Sequence, residues 1–405
     1  MNTPIIRSLL DLDYYKLTMA QVAWKHYQTV PVRYSFKNRT KNVLLAEYIN
    51  EEDLRMELDH VRSLRFTDEE IAYLRGLKIF SEDFLGFLKN LKLPEVVVAR
   101  DGATYKIEVF GLWPEAIWWE TLILSVVNEL YYRSLLRKEG RSEVGVWSEG
   151  QSRLSRKIEI LNLYPGIKFS DFGTRRRFSR YWQDNVIGRL VRSVPDQLLG
   201  TSNVAFAKRF GIRPIGTFAH EMDMVLSGVY HGSDDSIRYS HNKVLQLWWK
   251  EYGEPLSIAL TDTYGTDFFF KDLTLEQVRK WRGFRQDSGD PFEFGEKAIA
   301  FYQKYGIDPK TKTIVFSDGL DVDMIVKLHE RFSGRTNVVF GWGTNLTNDL
   351  GFKALSLVVK VTEANGHGTV KLSDNLAKAM GDSNDIERFK KIFGYTRNES
   401  EECKY

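Results

Sequence analysis

From about residue 160 onward, short apolar or β-branched segments repeatedly end in clusters of Gly, Asp, Ser or Thr, and helical patterns usually follow. Seven such units occur before residue 346, and their ends read "IKFSDFGTRRR", "LLGTSN", "IRPIGTFAHE", "LSIALTDTYGTD", "FRQDSGDP", "TIVFSDGLD" and "VVFGWGTN". This alternation is typical of parallel strands joined by right-handed helical crossovers. It predicts an α/β fold and favours an irregular (β/α) barrel over an open doubly wound sheet. In both architectures the loops after the strands converge on one face, where ligands bind.

The regions on either side of these units have a different pattern. Residues 1–140 alternate helical stretches with strand-like segments such as 30–38 and 103–113. Residues 355–373 read as two strands around Asn365-Gly366, which is typical of a hairpin. We expect those strands to return to the N-terminal sheet. The sequence therefore predicts an N-terminal α+β domain over 1–140, joined by C-terminal strands within 350–405, and an α/β barrel over 141–349.

Composition narrows the class of protein. The 405 residues are 43% hydrophobic and 27% charged with a net charge of +3, which favours a soluble protein with no nucleic-acid or membrane partner. The single cysteine, Cys403, excludes an intrachain disulfide and fits a reducing, cytoplasmic location. The most apolar stretch, 116–132, contains Glu120 and Glu129, so it predicts a buried amphipathic helix rather than a membrane span.

Several helix ends can be predicted from capping residues. Thr67 and Glu70 have the spacing of a capping box, and Ser81 is positioned to cap the next helix. Asp290 before Pro291 is also typical of a helix start, although a carboxylate there could equally serve a ligand.

His220 is the histidine that most directly suggests chemistry, because it follows a predicted strand in "GTFAHE". The His-Glu pair resembles the start of a zinc protease motif, but Met224 stands where the second histidine is required. None of the seven histidines is paired at metal-ligand spacing, and no nucleophile-elbow motif is present. The sequence therefore predicts no protein metal site and no serine hydrolase.

The neighbouring turns carry groups suited to a phosphorylated sugar. "DFGTRRRFSR" places four arginines at a predicted helix start, where an anionic ligand would relieve their conflict with the helix dipole. They are Arg175, Arg176, Arg177 and Arg180. "FRQDSGDP" brings Arg285 together with Asp287, whose carboxylate can accept hydrogen bonds from sugar hydroxyls. In "VVFGWGTN", backbone amides around Gly343 and Thr344 can hold a phosphate, although this signal is weak by itself.

Taken in order, these motifs resemble the nicotinate phosphoribosyltransferase family over residues 8–375. The resemblance also includes "LLDLDYYKLTMAQ" near the N-terminus and "FGWGTNLT". It implies the type II phosphoribosyltransferase architecture, an irregular α/β barrel packed on an N-terminal α+β domain. It further implies the joining of nicotinate to 5-phosphoribosyl-1-pyrophosphate in NAD salvage, giving nicotinate mononucleotide and pyrophosphate. ATP would be a co-substrate in this ligase-type reaction, and Mg²⁺ would arrive bound to pyrophosphate or ATP.

The resemblance also implies roles for individual residues. His220 would carry a phosphoryl group from ATP, and Glu221 would orient its ring or form a salt bridge at the end of the strand. Tyr15 would stack on the pyridine, across the interface of a possible homodimer. The remaining residues implied in substrate binding are Arg175, Ser202, Thr217, Arg285, Asp287, Asp318, Gly341, Gly343 and Thr344.

The sequence leaves two alternative functions open. Nicotinamide phosphoribosyltransferases share the histidine but carry an aspartate near the position of Ser202, where it would accept a hydrogen bond from the amide of nicotinamide. Ser202 at this position instead favours nicotinate, the acid, as the substrate. A nucleic-acid-binding protein could use "TRRRFSR" and "RKEGR", but the low net charge and the absence of a basic stripe argue against it.

Overall fold

The computed structural model describes residues 3–40 and 42–397, and within them the chain forms two β-sheets and eighteen α-helices. Lys41 and the last eight residues of the predicted C-terminal segment, which include Cys403, lie outside the described residues. The domain limits at 140, 141 and 349 remain predictions.

The first sheet is antiparallel and joins the two ends of the chain. Its strands lie in the order β11-β10-β1-β3-β2. β10 pairs along the length of β1, and Asn365 and Gly366 turn the chain into β11 with positive φ values of 53° and 78°. The predicted second hairpin strand is only two residues long. The strands are β1 Pro31–Asn38, β2 Val96–Asp101, β3 Thr104–Leu112, β10 Leu357–Ala364 and β11 His367–Gly368.

The second sheet is parallel and contains six of the seven predicted strands. Its order is β5-β4-β9-β8-β7-β6, so the carboxyl ends of all six strands lie at one edge. The α/β fold predicted from the alternating pattern is therefore confirmed. The strands are β4 Phe169–Asp171, β5 Leu198–Thr201, β6 Ile258–Leu260, β7 Gly283–Gln286, β8 Thr313–Phe316 and β9 Asn337–Trp342.

The third predicted unit, "IRPIGTFAHE", does not form a strand. It contributes one parallel bridge, Thr201 to Pro214, beside β5. Proline has no backbone N–H, so Pro214 cannot extend a hydrogen-bonded ladder towards a further strand. Among the described residues no ladder links this segment to β6, and the barrel is correspondingly irregular.

The helix predicted within 116–132 is α7, and its burial differs from the prediction. Every residue from Trp119 to Tyr132 is buried, so the helix is enclosed on all sides rather than amphipathic. Its two glutamates are tolerated there because Glu120 pairs with Lys16 and Glu129 pairs with Arg133. No helix in the described part of the chain is long and apolar enough to span a membrane.

The helices begin where the capping residues predict. Thr67 and Glu70 form a capping box at α4, Ser81 caps α5, and Asp290 caps α15 by accepting the N–H of Glu293. The helices are α1 Tyr14–His26, α2 Leu45–Tyr48, α3 Glu51–Ser63, α4 Asp68–Gly76, α5 Glu82–Asn90, α6 Trp113–Ala116, α7 Trp119–Lys138, α8 Glu143–Leu163, α9 Arg180–Ser193, α10 Val204–Phe210, α11 Glu221–Val229, α12 Asp234–Tyr252, α13 Thr266–Asp272, α14 Leu275–Lys280, α15 Pro291–Lys304, α16 Val322–Phe332, α17 Thr344–Thr347 and α18 Ser383–Phe393.

Candidate active site

A polar cavity lies at the carboxyl edge of the parallel sheet, where the loops after β4, β7, β8 and β9 meet. The antiparallel sheet and the C-terminal segment close its other side through Lys360, Lys371 and Lys378. Eight of the twelve site residues predicted from the sequence line this cavity: Tyr15, Arg175, His220, Arg285, Asp287, Asp318, Gly343 and Thr344.

His220 lies at the start of α11 with its ring between two polar partners. Nδ1 is 3.1 Å from the hydroxyl of Thr263, and Nε2 is 3.0 Å from Oδ2 of Asp287. The residue is only 3% exposed, but the ring lines the cavity. Burial, reinforced by the charge of Lys371, lowers the pKa of His220 to about 4. Its imidazole is therefore neutral near pH 7, the form in which it is a nucleophile.

Asp287 and Asp262 bring two carboxylates close to that ring. Burial opposes ionisation of Asp287, but the hydrogen bond to His220 and the charge of Arg285 hold its pKa well below the usual value. Oδ1 of Asp262 lies 3.8 Å from Nε2 of His220. This oxygen is buried and accepts no hydrogen bond from the described residues. Ligand atoms of His220, Asp262 and Asp287 all lie within 4.8 Å of one another.

Cations face these carboxylates across the cavity. Nε of Arg285 is buried and donates to no described group, so a ligand oxygen could accept from it. Lys371 is 6% exposed, and burial lowers its pKa to about 8. Lys378 donates to Asp318 and to the carbonyl oxygen of Asp287, the latter at 2.9 Å. This arrangement suits an anion larger than one carboxylate.

At the other end of the cavity, Arg175 lies against Tyr15. Its guanidinium is 5.5 Å from the centre of the Tyr15 ring, and its Nε is 3.1 Å from Oδ2 of Asp13. The Tyr15 hydroxyl is 3.4 Å from Glu120. Tyr15 lines the cavity of its own chain, and its role across a dimer interface stays a prediction.

The other four predicted site residues do not line the cavity. Glu221 points away from His220 and pairs with Lys16, Tyr34 and Trp113, so it takes the salt-bridge role. Three further residues act beside the cavity: Ser202 donates to Asp13 at 2.6 Å, the carbonyl of Thr217 accepts from Thr18, and Gly341 leaves room for the ring of Phe172.

The basic turn after β4 is mostly structural. Residues Thr174–Arg176 form a single 3₁₀ turn, and α9 begins only at Arg180. Arg177 is fully buried, and its two terminal nitrogens donate hydrogen bonds to the carboxylate of Asp11 at 2.6 and 3.0 Å. Arg180 also contacts Asp11. The expectation of four arginines presented to a ligand at one helix start is wrong for Arg177 and Arg180.

Several cavity residues were not predicted as site residues. They are Glu120, Phe172, Lys360, Lys371 and Lys378, together with Asp262 beside His220. A glutamate inside a very apolar helix and an aspartate directly after a strand were usable signals for Glu120 and Asp262. The three lysines had no comparable signal, because only the return of the C-terminal segment brings them to the cavity.

These features define a class of enzyme. The carboxyl edge of the parallel sheet brings together cations able to bind phosphate, carboxylates able to bind a diol and one neutral histidine. This set suits transfer of a phosphorylated sugar. The family model for nicotinate phosphoribosyltransferase matches residues 167–397, and the model for the N-terminal domain of that family matches residues 10–128.

Solved structures agree with these matches. A nicotinate phosphoribosyltransferase from Vibrio cholerae is 34% identical, with 98% of this chain and 96% of that chain covered and a TM-score of 0.89. One from Porphyromonas gingivalis is 32% identical, with 96% and 100% covered and a TM-score of 0.89. The chain belongs to the nicotinate phosphoribosyltransferase family. Membership gives the chain the joining of nicotinate to 5-phosphoribosyl-1-pyrophosphate in NAD salvage, and the nicotinamide alternative is not favoured.

Proposed function

We propose that this chain couples the phosphoribosyl transfer to hydrolysis of ATP through a phosphoryl group carried on His220. One observation carries the proposal: a buried, neutral imidazole lines the cavity beside Asp287, Arg285 and Lys371. A neutral ring nitrogen can attack a phosphoryl group, and the cations can neutralise the charge of the donor. The phosphoramidate that results is labile enough to be hydrolysed in each cycle.

In the transfer itself, the pyridine nitrogen attacks the anomeric carbon as pyrophosphate leaves. The developing oxocarbenium character makes positioning and charge neutralisation the main contributions of the protein. Arg175 and Tyr15 would hold nicotinate, with Arg285 on its carboxylate or a nearby phosphate. Asp287 would accept from the ribose hydroxyls, and Gly343 with Thr344 would bind the 5-phosphate.

Mg²⁺ enters this proposal bound to pyrophosphate or ATP. The residues fit it, because Oδ1 of Asp262 is a buried carboxylate oxygen to which no described residue donates a hydrogen bond, and Asp287 lies next to it. Carboxylate oxygens are the ligands that Mg²⁺ prefers. Asp262 and Asp287 would hold the ion, which would neutralise phosphate charge.

The coupling would act through affinity. Phosphorylated His220 would favour the state that binds the sugar pyrophosphate tightly, and loss of the phosphoryl group would release product. Each ~1.4 kcal/mol of coupling changes affinity tenfold. A homodimer with Tyr15 at its interface belongs to the same proposal. The single cysteine of the chain supports a cytoplasmic location.

The test is incorporation of label from γ-labelled ATP, mapped by peptide analysis, together with turnover of His220→Ala. We expect acid-labile, base-stable label on His220, and a variant that retains slow transfer without ATP hydrolysis. His60→Ala is the matched control, since His60 contacts a carbonyl of the N-terminal segment far from the cavity lining. Fully coupled turnover by His220→Ala would refute the proposal.

A further inference from the structure

A second cavity lies where the C-terminal half of α7, the start of α8 and the segment before α9 meet. Its volume is about 390 Å³, which is within the range of small-molecule sites. None of the residues that line it also lines the active-site cavity described above. We call it the arginine cavity, because Arg133, Arg137 and Arg141 line it.

Two basic segments of the sequence meet at the arginine cavity. Arg137 and Arg141 belong to "RKEGR", and Phe178 and Ser179 belong to "TRRRFSR". The transfer of a phosphorylated sugar uses no residue of "RKEGR", so the convergence of these segments is not explained by the active site.

The two carboxylates that line the arginine cavity already have partners. Glu129 is buried and accepts hydrogen bonds from Arg133 at 2.7 Å and from the backbone nitrogen of Arg180 at 2.8 Å. Glu143 accepts a hydrogen bond from the hydroxyl of Ser179. Of the three arginines, only Arg133 is therefore neutralised by a carboxylate of the lining.

The other two arginines keep their charge available to a ligand. Arg137 is exposed and forms no ion pair with the residues that the structure describes. Within the same residues Arg141 pairs only with Glu139, at 3.3 Å, and the two side chains are 46% and 41% exposed, so solvent screens that pair. The guanidinium of Arg141 lies 4.8 Å from the centre of the Phe352 ring, which limits its freedom. Two guanidinium groups beside one cavity suit the oxygens of phosphate groups.

Aromatic rings also line the arginine cavity. Tyr181 is 41% exposed, and its hydroxyl accepts a hydrogen bond from Arg7, whose guanidinium lies 4.7 Å from the centre of the ring. Phe178 and Tyr132 pack together with ring centres 4.6 Å apart. An exposed aromatic ring that is held in place can stack on a nucleobase. The cavity thus offers one surface for phosphate groups and one for a flat ring.

We propose that the arginine cavity is a second ligand site, which binds a nucleoside di- or triphosphate. Arg137 and Arg141 bind the phosphate groups, and Tyr181 stacks on the base. No bond is made or broken there. The inference does not depend on the phosphohistidine proposed above. Inorganic polyphosphate carries the same charges without a base, so comparison of the two ligands measures what the base contributes.

One segment of the chain connects this site to the active-site cavity. Arg175 and Arg176, after β4, line the active-site cavity, and Phe178 lines the arginine cavity. The side-chain amide of Asn348 donates hydrogen bonds to the carbonyl oxygen of Arg176 at 2.8 Å and to the hydroxyl of Tyr132 at 3.1 Å. A ligand in the arginine cavity therefore contacts the segment that positions Arg175, and we expect it to change the KM for nicotinate.

The first experiment is calorimetric titration of the full-length chain with the β,γ-methylene analogue of ATP, which resists hydrolysis. Arg137→Ala combined with Arg141→Ala should weaken one binding event at least about tenfold, because both phosphate contacts are lost. Arg156→Ala is the matched control, since Arg156 is exposed on α8 outside the cavity, and it should keep that event unchanged. Turnover without the analogue should stay within about twofold in all these variants, because none of the three arginines lines the active-site cavity.

The contribution of the base is tested at Tyr181. Tyr181→Ala should weaken binding of the analogue but not of inorganic tripolyphosphate, and Tyr181→Phe, which keeps the ring, should bind both as the unmodified chain does. Photolabelling with 8-azido-ATP should modify the peptide that contains Tyr181. Equal binding of the analogue by Tyr181→Ala and the unmodified chain would overturn the assignment of a nucleoside.

Kinetics test the connection between the cavities. With 5-phosphoribosyl-1-pyrophosphate saturating, the analogue should change the KM for nicotinate in the unmodified chain, and this change should be lost in the double arginine variant. An unchanged KM would overturn the connection. The site itself would be overturned if no binding event depends on Arg137 and Arg141, or if the photolabel is confined to residues of the active-site cavity.

Discussion

Single buried groups set the properties of the active-site cavity. His220 is neutral because burial and Lys371 lower its pKa, and Asp287 beside it is ionised because Arg285 and the histidine favour the charge. The two side chains are 3.0 Å apart, and both are deprotonated near pH 7. Burial of the ring and the cations around the carboxylate together favour that state.

Gly341 is packed so closely that a side chain at this position would clash with its neighbours. A Cβ added there would lie 2.4 Å from the ring of Phe172, which lines the cavity. We expect Gly341→Ala to lower the free energy of unfolding by about 1–3 kcal/mol, because the ring must move. Urea denaturation of this variant beside Gly343→Ala measures the effect, since a Cβ at Gly343 meets no atom closer than 3.4 Å. Equal stability of the two variants would contradict the steric argument.

At the scale of elements, four of the six parallel strands end at loops that line the cavity. The loops after β4, β7, β8 and β9 could be predicted because the carboxyl ends of parallel strands share one edge. The segment at Pro214 could not be distinguished from a strand, because its apolar pattern is the same. The four arginines of the first loop looked equivalent in sequence, but Arg177 turns inward to Asp11 and Arg175 lines the cavity.

Asp290 stabilises the start of one helix. Its side chain caps α15, and its Oδ1 accepts a hydrogen bond from the backbone nitrogen of Glu293 at 2.8 Å. Asp290→Ala should lower the free energy of unfolding by about 1 kcal/mol and leave kcat/KM within about twofold. Chemical denaturation and steady-state kinetics check both parts. Asp321→Ala, which removes the equivalent cap of α16, is the matched control. A loss of catalytic efficiency confined to Asp290→Ala would mean that this carboxylate serves a ligand.

At the scale of the whole molecule, the ion pairs of Lys16 connect three helices that lie far apart in the sequence. It is fully buried and pairs with Glu120 of α7 and Glu221 of α11, and it is itself part of α1. Glu120 in turn pairs with Lys360 of β10 and lies 3.6 Å from Arg175. The cluster links three helices to β10 of the antiparallel sheet and to the turn after β4.

Removing that cation should destabilise the assembled chain. Lys16→Met leaves Glu221 buried without its cation, so we expect a loss of about 3–5 kcal/mol in the free energy of unfolding at pH 7. Adding Glu221→Gln should recover part of the loss, because the uncompensated charge is removed. Lys25→Met, which breaks a partly exposed pair with Glu251, should cost under about 1 kcal/mol. Similar losses in Lys16→Met and Lys25→Met would show that the buried cluster is not what joins the regions.

The sequence by itself determined the strand-and-loop pattern, the helix caps and the set of loops around the cavity. These follow from local periodicity and from the shared direction of parallel strands. Tertiary structure alone decided that Glu221 faces Lys16 rather than His220, that Arg177 binds Asp11 from 166 residues away, and that three C-terminal lysines reach the cavity. The reason is that burial and charge pairing depend on which distant segments pack together, and local pattern carries no information about that.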